Sequence, residues 1–167
     1  RQKLSRENGL YQKQFMGDRI WQIRPAERRN IMDAKMLDGK TAIITGSSYG
    51  MGRSMAELFA EEGANVVLTA RGKEKLDEVV DEIRGKGGKA IGVVADVCST
   101  EDTKRVMEET LKAFGDLDIL INNAGIGEQK MIDETDDDWM RYVMDTNLGG
   151  PMRYIREALK IFLPKND

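Results

Sequence analysis

Lys40-Thr-Ala-Ile-Ile-Thr45 runs without a break into Gly46-Ser-Ser-Tyr-Gly50-Met-Gly52 and then into Arg53-Ser-Met-Ala-Glu-Leu-Phe-Ala60. The first segment is short, apolar and β-branched, the pattern of a buried strand. In the third, Met55, Leu58 and Phe59 recur at helical spacing. Between them the glycines are spaced G-x-x-x-G-x-G. Strand, glycine turn and helix, in that order, make a phosphate site. Glycines let the backbone approach a pyrophosphate closely, and the helix N-terminus offers free N–H groups and a positive dipole end. A merely flexible turn is the plainer reading, but the position between strand and helix favours the phosphate loop.

Outward from that loop the same unit repeats. Glu61-Glu62-Gly63-Ala64 closes the first helix on a glycine. Asn65–Thr69 reads as a second strand and Lys73–Arg84 as a charged amphipathic helix. Ala90–Ala95 is a third strand, and a helix is expected over Ser99–Phe114, with Ser99 as cap and acids in its first turn. Asp118–Asn122 is a fourth strand, followed by a helical stretch within Asp136–Leu163. Strands alternating with helices imply a parallel sheet covered on both faces, because parallel crossovers need a helix and turn right-handed. The expected fold class is therefore α/β, a doubly wound parallel sheet of Rossmann type, truncated before a fifth strand.

Composition narrows the chemistry. The chain has 167 residues, 40% hydrophobic and 33% charged, one domain's worth of ordinary globular sequence. No apolar run approaches the ~20 residues that span a bilayer, so no membrane partner is expected. Cys98 is the single cysteine and there is no histidine, so no disulfide framework and no metal site is expected. The lone cysteine suits a cytoplasmic location. Residues 1–31 hold eight basic and three acidic side chains, a net of +5, which leaves −8 for the rest of a chain whose total is −3. That acidic body argues against nucleic acid as a partner. Residues 1–35 are expected to be an N-terminal extension, and 36–167 an incomplete NAD(P)-binding domain. Glu27-Arg28-Arg29-Asn30-Ile31-Met32 can be encoded by a purine-rich stretch resembling a ribosome-binding site before a start codon. Met32 is then expected to be the native start; a genuine tail is the alternative. The ten methionines are expected to be core filler, and Trp139 to begin a helix and pack inward.

Three motifs carry a family resemblance: Thr45-Gly-Ser-Ser-Tyr-Gly-Met-Gly52, Asn122-Asn-Ala-Gly125 and Asp145-Thr-Asn147-Leu-Gly-Gly150. In this order, across about residues 37–167, they resemble the N-terminal portion of the classical short-chain dehydrogenases/reductases. That resemblance implies a strand order of 3-2-1-4, which leaves the fourth strand at an exposed edge prone to aggregation and lowers the stability of the piece. That resemblance implies that Gly46, Ser48, Tyr49, Gly50 and Met51 bind the cofactor around its pyrophosphate. It implies that Asp96 and Val97 meet the adenine edge, where a carboxylate accepts from the exocyclic amine. The plainer reading of Asp96 is a strand-end residue turning toward Ser99. Asn123, Ala124 and Gly125 would border the ribose, and Asn123 can also steady the sheet. Asn147 would break its helix and hold a water in a proton relay, the single catalytic candidate here; a helix cap within Asp145–Asn147 is the plainer reading.

Cofactor choice falls on the end of the second strand, Leu68-Thr69-Ala70-Arg71. NAD-binding relatives carry there an acid that accepts from the ribose 2′-hydroxyl. Ala70 replaces it, and Arg71 can form charge-assisted bonds to a 2′-phosphate, so NADP is expected and NAD is less favoured. At Tyr49 many NADP-using relatives carry a basic residue instead. The family's proton donor is a tyrosine with a lysine four positions on. None of Tyr11, Tyr49, Tyr142 and Tyr154 has that partner. The expectation is thus an NADP(H)-dependent oxidoreductase acting on a small-molecule carbonyl or alcohol, present as a fragment without its serine, tyrosine and lysine and inactive alone. Complete relatives are homo-oligomers. A non-catalytic NADP-binding module or a non-functional truncated product are the alternatives.

Overall fold

A computed structural model of the chain describes residues 35–127 and 130–165. The expectations for residues 1–31 lie outside them. β1 (Thr41–Thr45) leads through the glycine loop into α1 (Gly50–Glu61), followed by β2 (Asn65–Ala70), α2 (Lys73–Gly85), β3 (Lys89–Val94), α3 (Thr100–Phe114) and β4 (Ile119–Ile121). α4 (Asp137–Met144), a π-helical segment (Asp145–Gly149) and α5 (Gly150–Phe162) then form one continuous helical run. All pairings are parallel and the strand order is β3-β2-β1-β4. Ile43 lies level with Val67 on one side and Leu120 on the other, so β1 is the centre of the sheet.

Side-chain alternation along the strands builds two cores. Ile44, Val66 and Leu68 pack with Ala56, Ala60, Leu76 and Ile83 of α1 and α2. Ile43, Val67 and Val93 face the other way, onto Val106 and Met107 of α3 and Tyr154 and Ala158 of α5. Two apolar layers on opposite faces are what doubly wound means in energetic terms. Among the described residues β4 has β1 as its one partner, and its three residues are all half-buried.

Three local expectations need correction. α1 begins at Gly50, three residues before Arg53, and its buried face is Gly52, Ala56 and Ala60. Met55 and Phe59 flank that face, while Leu58 is 53% exposed. The contact surface is made of small residues because helix and sheet approach closely there. Met107 is the one buried methionine among those described; Met36, Met51, Met131, Met144 and Met152 are exposed. Trp139 does sit in the first turn of α4, its N–H donating to Asp136, but it is half-buried under the Lys130 ammonium, 5.4 Å from the ring centre, and not in the core. Around Asn147, where a break in the helix is expected, the run is π-helical and not α. Pro151 has no N–H to return to the Asn147 carbonyl, and the Gly150 N–H bonds to Asp145, five residues back. The ladder widens to π just before the proline.

α3 starts as its sequence indicates: Ser99 Oγ accepts the Asp102 N–H at 3.0 Å. Asp102 in turn accepts the Asp96 N–H at 2.8 Å and bonds Arg105. Those two partners, the Asp96 N–H first, hold the Asp102 carboxyl below its ordinary range. A depressed folded-state value adds stability above the unfolded value and loses it as pH falls through the folded one. Asp102→Asn is therefore expected to be less stable than wild type at pH 7 and to lose less stability between pH 7 and about pH 3. Denaturant melts at both pH values measure this; parallel losses would contradict it.

Candidate cofactor site

The glycine loop is pinned on two sides before it meets any ligand. Thr45 Oγ1 accepts the N–H groups of Asn123 and Ala124, each at 3.0 Å. Asn123 Nδ2 donates back to the carbonyls of Thr45 (2.9 Å) and Gly46 (3.1 Å). On the other side the buried Ser47 hydroxyl donates to Ile44 O at 2.9 Å and accepts the Thr69 N–H at 3.0 Å. Gly46, at φ 66°, passes so close to the segment after β4 that a Cβ would lie 2.8 Å from Ala124 Cα. A Cβ on Gly52 would lie 2.3 Å from Gly46 O and 2.5 Å from Asn123 Nδ2.

Gly50 differs. Its φ is +58°, and a Cβ there would meet nothing within 4 Å. Tyr49, the N-cap of α1, places no side chain on the first helical N–H groups. A loop held rigidly from behind thus presents uncapped donors and open space in front, which suits an anion.

That space is a cavity of about 440 Å³. Gly46, Ser48, Tyr49, Gly50, Met51, Arg71, Asp96, Val97, Asn123, Ala124 and Gly125, the eleven residues singled out in the sequence for cofactor contact, all line it. They come from the ends of all four parallel strands, where ligands of open α/β sheets bind. Thr69, Ala70, Gly72, Lys75, Ala95, Ile126 and Thr146 complete the wall.

At the far end of the cavity the charges sort by sign. Asp96 accepts the Cys98 N–H on Oδ1 at 2.9 Å, so the turn expected of a strand-end residue forms, and Oδ2 stays open for a donor. Arg71 and Lys75 bring two cations to the rim, beside the start of α2, whose N-cap Gly72 has no capping side chain. Arg71 Nη1 donates to the Tyr142 hydroxyl at 2.8 Å. Neither Lys75 nor Tyr142 stands out in the sequence. Lys75 reads as one more charge on an amphipathic helix, and Tyr142 arrives from 71 residues away.

Asn147 lies outside the cavity wall. Its Oδ1 accepts the Ile126 N–H and its Nδ2 donates to the Ile126 carbonyl, both at 2.8 Å. It sits in the π segment, and within Asp145–Asn147 the residue that caps a helix is Asp145, at the end of α4. Through Ile126, Asn147 fixes the strand exit after Gly125. Tyr154 is fully buried, which removes it as a proton donor to any ligand.

Comparison with known proteins settles the kinship of this arrangement. The pattern of the short chain dehydrogenase family matches residues 40–167. The chain belongs to the short-chain dehydrogenase family. A 3-oxoacyl-[acyl-carrier-protein] reductase FabG from Staphylococcus aureus is 40% identical over 120 residues, 71% of this chain and 49% of that protein. Glucose 1-dehydrogenase 2 of Bacillus subtilis is 39% identical over 135 residues, 79% of this chain and 52% of the relative. A crystal structure of a dehydrogenase/reductase from Sinorhizobium meliloti superposes with a TM-score of 0.76 at 38% identity, covering 80% of this chain and 53% of that one. The chain spans about half the length of the curated relatives it matches. Among the described residues no helix is long and apolar enough to cross a membrane, and no group of three or more His, Cys, Asp or Glu is placed to hold a metal ion.

Proposed function

We propose that this chain forms the nucleotide-binding part of an NADP(H)-dependent oxidoreductase that interconverts a carbonyl and an alcohol in the cytoplasm. The observation that carries the reading is a single cavity joining the uncapped start of α1 to a cationic rim at Arg71 and Lys75. The dinucleotide, when bound, supplies or accepts hydride at its nicotinamide. The chain's own residues bind and orient it. Backbone N–H groups around Ser48–Met51 hold the pyrophosphate, and the rigid backing by Asn123, Thr45 and Ser47 keeps them aimed. Asp96 Oδ2 accepts from the adenine amine, and Asn123–Gly125 border the ribose. Ala70 leaves room and no negative charge where a 2′-phosphate meets Arg71 and Lys75.

Asn147 orients the Gly125–Ile126 exit as a positioning residue, and a relay role for it acts through that contact or by releasing it. We place the proton donor outside residues 35–165, because Tyr49, Tyr142 and Tyr154 have no lysine four positions on. The substrate class follows the family and the two named relatives, one a reductase of a 3-oxoacyl group and one a glucose dehydrogenase. A homo-oligomeric complete protein is supported by an exposed apolar stripe, Met144, Leu148, Met152, Ile155 and Leu159, along one side of the continuous helix. A second copy is its proposed cover, and a monomeric mass in solution would remove that part of the reading.

The test of function uses the protein with its whole reading frame. NADPH oxidation at 340 nm with a panel of ketones and 3-oxoacyl thioesters is expected to show turnover. NADPH binding with no turnover, in a frame lacking a Tyr-x-x-x-Lys, would establish a binding module instead. Failure to bind any nicotinamide dinucleotide would sink the proposal.

A further inference from the structure

We infer that Tyr142 is a specificity-determining positioning residue, holding Arg71 in readiness for the 2′-phosphate; this rests on the NADP(H) reading above. Arg71 is exposed, and a long exposed guanidinium is a poor anchor unless something restricts it, since ordering its side chain opposes binding. The Tyr142 hydroxyl provides that restriction at 2.8 Å, on Nη1. Tyr142 does not itself line the cavity, so its contact is with Arg71 and not with the nucleotide. A guanidinium has five N–H donors, so one bond to Tyr142 leaves four for a phosphate, enough for a bidentate contact.

The chemistry of the partner matters as much as its position. Asp96 lies close enough for its charge to be felt at Arg71, yet among the described residues Arg71 bonds the Tyr142 hydroxyl while Asp96 Oδ1 accepts the Cys98 N–H. A carboxylate partner would orient Arg71 but cancel its charge and compete with the phosphate. A hydroxyl oxygen orients it through one accepted hydrogen bond. α4, which carries Tyr142, buries none of its own residues, so the Arg71–Tyr142 bond is also a tie between that helix and the end of β2.

The test is a fluorescence titration of the full chain with NADPH and NADH, for wild type, Tyr142→Phe, Arg71→Ala and the double variant. Tyr142→Phe keeps the ring at a position 41% exposed, so folding is expected to be intact, and thermal melts check it. NADPH is expected to bind about three- to tenfold more weakly, with NADH unchanged. In the Arg71→Ala background the same change is expected to do nothing more. Unchanged NADPH affinity, or equal weakening of both dinucleotides, overturns the role of Tyr142 while leaving the cofactor reading standing. Equal wild-type affinity for both, or Arg71→Ala without effect on NADPH, overturns the cofactor reading and this inference with it.

Discussion

Gly52→Ala is expected to abolish dinucleotide binding and to lower the melting temperature by several degrees. The added methyl would lie 2.3 Å from the Gly46 carbonyl oxygen and 2.5 Å from Asn123 Nδ2. The first neighbour is backbone and cannot swing aside. The second is the amide that bonds the Thr45 and Gly46 carbonyls, so displacing it breaks the pin behind the loop. Overpacking of this kind costs about 1–3 kcal/mol before the lost hydrogen bonds are added, against a total of roughly 5–15 kcal/mol for a domain. The first turn of α1 must move, and the donors that face the cavity move with it. Gly50→Ala is the informative contrast. Its methyl meets open space, and the cost is the positive φ, about 1–2 kcal/mol. It is expected to melt nearer wild type. Thermal melts with and without NADPH measure both. A Gly52→Ala protein that melts and binds as wild type does would contradict the packing account.

The second large effect concerns cofactor choice. Ala70 ends β2 and lines the cavity one residue before Arg71. Asp in its place would accept from a ribose 2′-hydroxyl and repel a 2′-phosphate, while Arg71→Ala removes the cation that favours the phosphate. The double variant Ala70→Asp/Arg71→Ala is expected to shift the ratio of NADPH to NADH affinity toward NADH by on the order of 10²-fold, two charge effects of ~1.4 kcal/mol each acting in the same direction. Lys75 remains at the rim and keeps the shift from being larger. Titrations of the pure protein with each dinucleotide give the ratio; a ratio unmoved by the double change would mean the 2′-position lies elsewhere.

Both arguments start from features visible in the bare sequence. The β1–glycine–α1 unit, the alternation of strands and helices, and the residues at the ends of β2, β3 and β4 follow from local pattern. In a parallel sheet the strand ends converge on one edge, so the residues placed there share a cavity. What stayed hidden depends on distant partners. Small residues form the buried face of α1, because close packing there outweighs side-chain hydrophobicity; a reading based on Met55, Leu58 and Phe59 therefore finds the helix but not its contact. The π segment needs the pairing of Asp145 with Gly150 ahead of Pro151, which no period of 3.6 reveals. The local pattern places Thr45 at a strand end and Ser47 in the loop, but not the partners of their hydroxyls, which tie the loop to β2 and to the segment after β4. Tyr142 joins the site only through a guanidinium 71 residues earlier. Asn147 carried the strongest family expectation for chemistry, and its amide is engaged at both ends by the Ile126 backbone. A relay role for it must act through that contact or by releasing it.

The central claim is that one cavity binds NADP(H), with the pyrophosphate at the start of α1 and the 2′-phosphate at the rim. A crystal structure of the protein grown with NADP⁺ tests it most directly. The expected result is pyrophosphate oxygens within hydrogen-bond reach of the N–H groups of Ser48–Met51, the 2′-phosphate on the Arg71 guanidinium, and the Arg71–Tyr142 bond retained. A 2′-phosphate in solvent with Arg71 turned away, or a dinucleotide seated elsewhere on the chain, would contradict it.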